Sequence, residues 1–439
     1  MNERINKHEI PQPPRGTEDI FELRLLKIET VKSIFFDIAR SHGFTRIDIP
    51  IFESAEVFKR TAEFSEDSSF TFPDKSGRQM VLRPDINAPI SRAFVNHLAA
   101  EPLPSKLFFE GKVFRYRHAK RREFRMFGLE TYGVTDFSAD AEIVSTVGEM
   151  TKAIGFKGYE VEFSNLQIYK NLLEGILKQV DSKVVLHKLH FADSAETAQK
   201  ILEEFNVSEK VTDNLLAMLF PHDSRVDSLS IFEHVAGQSQ TLSDELTTVL
   251  KFRDALESYG IINAKLSLSN LHGTGFYSGI TYRVQPLGVN IPLADGGRYD
   301  TMVENLGGKP TPATGLAFGV ERIIDMAEGQ GIEILQKKNE GYIVVLPKNT
   351  DVTELRTILQ QARESCPSAI EEELLDRKPE HTKKYGTQKG YENAVFIENM
   401  GNSAWPLKMI SYSLTNLSGN KKTMVMETPR DLVNFLVRR

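Results

Sequence analysis

The chain has 439 residues, 40% of them hydrophobic and 26% charged, with 54 basic against 60 acidic side chains and a formal net charge of −6. That is the composition of a folded chain of several domains; it excludes collagen-like repeats, disordered polar chains and a protein-wide cationic field for nucleic acid. The single cysteine, Cys366, rules out an intrachain disulfide, and no apolar run reaches the ~20 residues of a bilayer span, so a cytoplasmic protein without membrane association is expected.

Pro11, Pro13 and Pro14 predict an extended lead-in, and Arg15-Gly16-Thr17-Glu18-Asp19 a turn. Leu25, Ile28, Val31, Phe35 and Ile38 then recur at helical spacing, and Gly43 sits where that helix should stop. Thr45 to Phe52 alternates like a half-buried strand, with Pro50 favouring a strand end or sheet edge. Short apolar runs at 80–82, 107–109 and 112–115, punctuated by Gly111, Gly128 and Gly133, predict antiparallel strands joined by hairpins. A helix is expected over 139–154 and a strand over 159–163. From 166 to 262 the pattern is helical and charged, an inserted module between two parts of one core domain, 1–165 and 263–335. A strand at 280–284, a glycine-rich stretch and a helix beginning near Leu316 complete that core. Gln336 to Glu340 reads as a linker. Beyond it, 341–439 predicts a small α/β domain: the β-branched run Tyr342 to Leu346 suits a strand buried on both faces, followed by a helix at 355–362, strands at 394–397 and 423–426, and a helix at 429–437.

Four stretches could carry chemistry. In Leu82-Arg83-Pro84-Asp85-Ile86-Asn87, an arginine beside a carboxylate can grip the two ends of a zwitterion; the plainer reading is an ion pair ahead of a helix, with Asp85 or Asn87 as its cap. Residues 112–125 hold seven Lys and Arg side chains, and Arg115 and Arg117 share one face of a strand. Such a strand and loop suits a nucleotide, a phosphosugar or an RNA end, or is a solvated hairpin tip. Glu130, in an apolar setting after Gly128-Leu129, needs a partner and is either a ligand group or half of an ion pair. The third stretch, His272-Gly273-Thr274-Gly275-Phe276-Tyr277-Ser278-Gly279, has glycines that allow close backbone approach, but no helix follows, so a phosphate loop fails. His272 alone is more often structural than catalytic. The fourth pairs Asp295-Gly296-Gly297-Arg298-Tyr299-Asp300 with Gly315 to Arg322, where Arg322 would point from a first helical turn toward whatever lies on the sheet, or would be a plain surface arginine.

In this order the motifs resemble the histidyl-tRNA synthetase branch of the class II aminoacyl-tRNA synthetases, over nearly the whole chain. Arg15 to Asp19 with Pro50 and Phe52-Glu53 looks like the dimer-forming first motif, Phe114-Arg115 through Glu130 like the second, and Gly315 to Arg322 like the third. Residues 272–283 and 296–300 look like the histidine-specific blocks. The resemblance implies an α+β fold: a six- or seven-stranded antiparallel sheet flanked by helices, with a helical insertion, a C-terminal α/β domain like those that bind anticodons, and a homodimer.

The branch contains true ligases and also the regulatory subunit of ATP phosphoribosyltransferase, which keeps the fold without charging tRNA. In ligases the block at 272 opens with an arginine that steadies charge on the ATP α-phosphate; here His272, mostly neutral near pH 7, stands there. Arg117 replaces a glutamate that engages ATP, and Met126 replaces a glutamine that holds histidine. What the resemblance leaves for ligand binding is Arg83, Asp85, Arg115, Glu130, Tyr277, Arg298 and Arg322. The expectation is a noncatalytic regulatory subunit of histidine biosynthesis that senses histidine and activates a short-form ATP phosphoribosyltransferase catalytic subunit. It requires no cofactor, and histidine, ATP or a phosphosugar is its ligand. The alternative is a divergent histidine-tRNA ligase using ATP, magnesium and tRNA, with Arg115, His272 and Arg322 as its catalytic cations.

Overall fold

The computed structural model describes residues 11–61, 66–116, 121–174, 182–221, 228–271, 277–289, 291–334, 341–348, 351–365, 369–400, 405–414 and 421–437. His272, Arg117, Cys366 and the expected linker Gln336 to Glu340 lie outside these residues. The chain divides into two compact units, 1–334 and 335–439.

The first unit opens with α1 (Glu22–Ser41), which turns Ile28, Val31, Phe35 and Ala39 into the core. Gly43 ends it in a left-handed conformation, φ +77°, with its N–H bonded back to Arg40. The strand expected over 45–52 is two short ones, β1 (Thr45–Ile47) and β2 (Phe52–Ser54), interrupted at Pro50, which has no N–H for a ladder. Then come α2 (Ala55–Arg60), β3 (Phe70–Pro73), β4 (Gln79–Leu82), α3 (Asn87–Ala93), the long hairpin β5 (Ser105–Phe114) and β6 (Glu123–Tyr132), α4 (Ser138–Ile154) and β7 (Tyr159–Asn165). The helical stretch comprises α5 (Leu166–Leu173), α6 (Ser182–His190), α7 (Ala195–Glu204), α8 (Glu209–Leu219), α9 (Ser228–Ala236) and α10 (Gln240–Ser258). It shares the core of the unit: Leu186, Leu215 and Phe252 belong to the same buried cluster as Phe35 and Phe127. After it come β8 (Ala264–Leu266), β9 (Ile280–Pro286), β10 (Ala294–Arg298), α11 (Met302–Asn305), β11 (Ala313–Gly319) and α12 (Val320–Gly329). The helix expected to begin near Leu316 is therefore corrected. Leu316 lies inside β11, whose pairing with β6 and β10 overrides the local pattern, and the helix starts at Val320.

The main sheet has eight strands in the order β1-β5-β6-β11-β10-β9-β7-β8. Its six central strands pair antiparallel, and a short parallel strand is added at each edge. The antiparallel core of six is the one expected; the complete sheet is mixed. Phe35 stacks on Phe127 at 4.9 Å, which packs α1 against one sheet face. A separate three-stranded sheet, β2-β4-β3, carries the exposed rings of Phe52 and Phe72 in edge contact.

The second unit contains β12 (Tyr342–Val345), α13 (Thr353–Ser365), β13 (Ile370–Glu372), α14 (Pro379–Gln388), β14 (Asn393–Asn399), β15 (Leu407–Ser413), β16 (Lys421–Met426) and α15 (Pro429–Val437). Its sheet runs β13-β12-β14-β15-β16, parallel on one side and antiparallel on the other. Ile343 and Val344 are both buried, as a strand covered on two faces requires.

Candidate functional site

The strand register lays out a row across the main sheet: Glu130 on β6, Gly315 on β11, Gly297 on β10 and Thr281 on β9. Successive strands lie about 4.8 Å apart, so the row spans roughly 14 Å. The two glycines are spatial necessities. A Cβ on Gly315 would sit 2.0 Å from Glu130 Oε2, and one on Gly297 would sit 2.9 Å from Tyr277 Cδ1. The Glu130 carboxyl and the Tyr277 ring thus lie over the strands between them, on a floor without side chains.

Glu130 is fully buried. Its Oε1 accepts a 2.8 Å hydrogen bond from Asn87 Nδ2, while Oε2 has no partner among the described residues. Burial raises its pKa well above the usual carboxylate range, and the nearby Asp85 charge adds to that rise. Asp85 stands just ahead of α3. Burial raises its pKa too, opposed by the Arg115 charge and by the Ala88 and Asn87 backbone N–H groups, and its Oδ1 is sealed without a hydrogen-bond partner among the described residues. Thr281 Oγ1, on the same row, is a third buried polar atom without one. Two carboxyl groups in one low-dielectric site, each with an unused oxygen, ask for a cation or a set of N–H donors. An α-ammonium or an imidazole ring supplies both.

Arg115 lies beside this pair. Its Nε donates to Pro84 O at 2.6 Å, and its guanidinium sits 5.6 Å from the Phe124 ring centroid. Gly319 brings the Phe124 ring and the stem of Arg322 together, each within 4 Å of where its Cβ would be. Arg322 NH1 donates to Pro292 O at 3.1 Å; its neighbour Glu321 turns inward and binds Arg125 at 3.0 Å. Met126 is on the Glu130 face of β6, four residues away, buried between Gly111 and Gly319 in register. It offers no hydrogen bond of consequence.

Arg83 and Arg298 are elsewhere engaged. Arg83 is buried and spends its guanidinium on main-chain carbonyls: Nε on Lys112 O, NH1 on Ile49 O and Pro50 O. Gly111 is the residue that gives it room, since a Cβ there would lie 2.1 Å from Arg83 NH2. Arg298 points away from the glycine floor, where it binds Asp140 Oδ2 through Nε and NH2 at 3.0 and 2.6 Å and the carbonyls of Val134 and Asp136. The sequence reading offered both as ligand groups; the geometry makes both anchors for the backbone around the site. Asp140, Thr281 and the Asn87 amide went unnoticed in sequence. The sequence offers Asp85 or Asn87 as the helix cap; Asp85 takes the Ala88 and Asn87 N–H groups, which leaves Asn87 inside the helix with its amide on Glu130, and neither Asp140 nor Thr281 stands in a pattern that marks it.

The family model described as histidyl-tRNA synthetase matches residues 16–323. This chain belongs to the histidyl-tRNA synthetase family. It is 28% identical over 320 residues to the histidine–tRNA ligase of Saccharolobus solfataricus, covering 71% of this chain and 74% of that one. To the histidine–tRNA ligase of Geobacillus thermodenitrificans it is 27% identical, covering 98% of each. Among solved structures, the apo histidyl-tRNA synthetase of Staphylococcus aureus superposes with a TM-score of 0.67 at 20% identity, covering 97% of this chain and 100% of that one. A Bacillus halodurans protein named as an ATP phosphoribosyltransferase regulatory subunit/histidyl-tRNA synthetase superposes with a TM-score of 0.73 at 19% identity, covering 89% and 99%. These likenesses establish the class II synthetase-like α+β fold.

Proposed function

We propose that this family member is a noncatalytic histidine sensor, the regulatory subunit of a short-form ATP phosphoribosyltransferase. The observation that carries the reading is the sealed pair Asp85 and Glu130, each with an unpartnered oxygen, kept beside Arg115 while Met126 faces the same side of the sheet. The pair suits the ammonium and imidazole of histidine, and Arg115 suits an α-carboxylate or a phosphosugar. The neighbourhood that would have to steady a pentavalent phosphate is weakened by sequence: His272 in place of arginine, Arg117 in place of glutamate. Binding is retained and adenylate chemistry is not. The exposed apolar residues Ile51, Phe52 and Phe72 around the small sheet support a homodimer, which joins the catalytic subunit in a hetero-oligomer.

The ligase reading has an observation of its own in its favour: the histidine–tRNA ligase of Geobacillus thermodenitrificans matches along 98% of the chain, through the C-terminal unit. In that case ATP, magnesium and tRNA are the partners, and Arg115, Arg322 and His272 or a displaced cation such as Arg283 act on ATP. Histidine-dependent ATP/pyrophosphate exchange separates the two. Absence of exchange, together with histidine binding by calorimetry and activation of a short-form phosphoribosyltransferase, is the expected result; robust exchange would overturn the regulatory reading.

A further inference from the structure

The segment that carries Tyr277 is held from one side by α5. Tyr169, fully buried, donates its hydroxyl to Leu268 O ahead of the 272–276 block. After the block, Lys170 Nζ donates to Tyr277 O at 3.2 Å and the Leu166 N–H donates to Gly279 O at 3.1 Å. One eight-residue helix therefore ties both stems of the segment. Its own position is fixed by α10. Glu245 accepts from Asn165 Nδ2, at the cap of α5, at 2.7 Å and from Asn171 Nδ2 at 3.2 Å. The opposite side of the segment is held by the sheet, where Ser278 N donates to Arg298 O at 2.7 Å and the Asp300 N–H donates to Ser278 Oγ at 3.0 Å.

These two attachments differ in kind. The sheet contacts rest on buried strand backbone and the Arg298–Asp140 pair. Of the helix contacts, those of Tyr169 and the Leu166 N–H hold the stems at Leu268 and Gly279, while the one that reaches Tyr277 itself runs through a flexible four-carbon stem, Lys170, to a carbonyl on the residue whose ring covers Gly297. Displacing α5 would shift the Tyr277 main chain, and a ligand that presses on the Tyr277 ring would push back on α5 and, through Glu245, on α10. Coupling of this sort is reciprocal.

We propose that Lys170 is a positioning residue through which the helical module 166–262 sets Tyr277, so that occupancy of the pocket and the placement of α5 and α10 are thermodynamically linked. The proposal deepens the sensor reading and rests on it for the ligand, histidine; it names the route by which the pocket reports to the rest of the molecule.

Hydrogen–deuterium exchange on the full-length protein and its Lys170→Met and Lys170→Arg variants tests it. Methionine keeps the stem without the donor, and arginine restores a donor. In ligand-free protein, Lys170→Met is expected to speed exchange at 277–280 about tenfold and Lys170→Arg to leave it near wild type, with both variants melting within a few degrees of wild type. Added histidine is expected to slow exchange in α5 and α10 as well as at the pocket of the wild-type protein. In Lys170→Met it binds about tenfold more weakly, a typical allosteric coupling, and slows exchange at the pocket alone. Unchanged exchange at 277–280 in Lys170→Met, or wild-type protection confined to the pocket, overturns the proposal. If the wild-type protein binds no histidine while Lys170→Met still loosens 277–280, the ligand assignment falls and the positioning role stands.

Discussion

Two carboxylic acids are buried on opposite faces of the same sheet region, and they are treated differently. Asp140 meets the side where Arg298 and Thr314 point; Glu130 lies on the side of Gly297 and Gly315, their sequence neighbours. Both are fully buried. Asp140 has a complete shell, two bonds from Arg298 to Oδ2 and one from Thr314 to Oδ1 at 2.6 Å, and Thr314 is in turn bonded to the Tyr282 hydroxyl. Glu130 has one donor and a second carboxyl group close by. A buried charge whose partners are all supplied by the fold is part of the fold. One left half-satisfied is poised for something that comes from outside.

The sharpest way to break the contrast is Asp140→Ala. It strands the Arg298 guanidinium, and removing one partner of a buried pair costs about 3–5 kcal/mol. Chemical denaturation should show that loss in the transition of the first unit; a loss below about 1 kcal/mol would mean that the pair is not what anchors β10 to α4.

Glu130→Gln should do the reverse. It replaces a buried carboxyl that has no full partner with a neutral amide of the same shape, so stability stays level or rises by about 1 kcal/mol, while histidine affinity falls. Truncating a charge that a ligand pairs with in a buried site costs about 2 kcal/mol or more, so calorimetry should record at least a ~30-fold weaker Kd. Weakened folding with unchanged binding would put Glu130 in the same class as Asp140.

The contrast also sets opposite pH behaviour. Burial raises Asp140 from about 3.8 to about 6 despite Arg298. The folded state then holds a proton that the unfolded state releases, so this group's contribution is fully present below the ordinary carboxylate pKa and is lost as pH rises through about 6. Comparing wild type with Asp140→Asn, the wild-type advantage should shrink by up to about 3 kcal/mol between pH 4 and 6.5. A flat difference across that window would show that Asp140 keeps an ordinary pKa in the fold. Glu130, also raised, must give up its proton to pair with a cation, so histidine affinity should climb with pH, and Glu130→Gln should flatten that climb.

Which of these two acids could be read from sequence follows from where their partners lie. Glu130 stood out because a carboxylate inside the apolar run of a strand is anomalous on local grounds alone. Asp140 looked like an ordinary acid in a first helical turn, and its partners Arg298 and Thr314 are 158 and 174 residues away. Arg83 and Arg298 were singled out as cations for a ligand because sequence shows a guanidinium but not its acceptors, and backbone carbonyls carry no signature. The strands β9 and β12 are legible from their apolar runs, whereas β5 reads as two runs broken at Gly111, which lies inside the strand, and no run marks β6, which has Gly128 inside it. The identity of β11 was not, because Leu316-Ala317-Phe318 runs without a break into an amphipathic helix and only pairing with Glu130's strand decides its conformation.

Met126 offers the finest adjustment to the open side of the comparison. It lies on the Glu130 face, and glutamine is close to methionine in length and volume, so Met126→Gln introduces an amide where a thioether stood without a demand for new space. If the substitution in this chain reflects a relaxed demand on the ligand, the amide adds one hydrogen bond, worth about 0.5–1.5 kcal/mol, and tightens histidine binding by roughly two- to tenfold. It adds no cation near the phosphate position, so ATP/pyrophosphate exchange should stay at background. Exchange appearing in Met126→Gln alone would place the missing element of ligase chemistry in amino-acid positioning and not in the replacement at 272. Exchange in Met126→Gln combined with His272→Arg, and in neither single variant, would assign it to both.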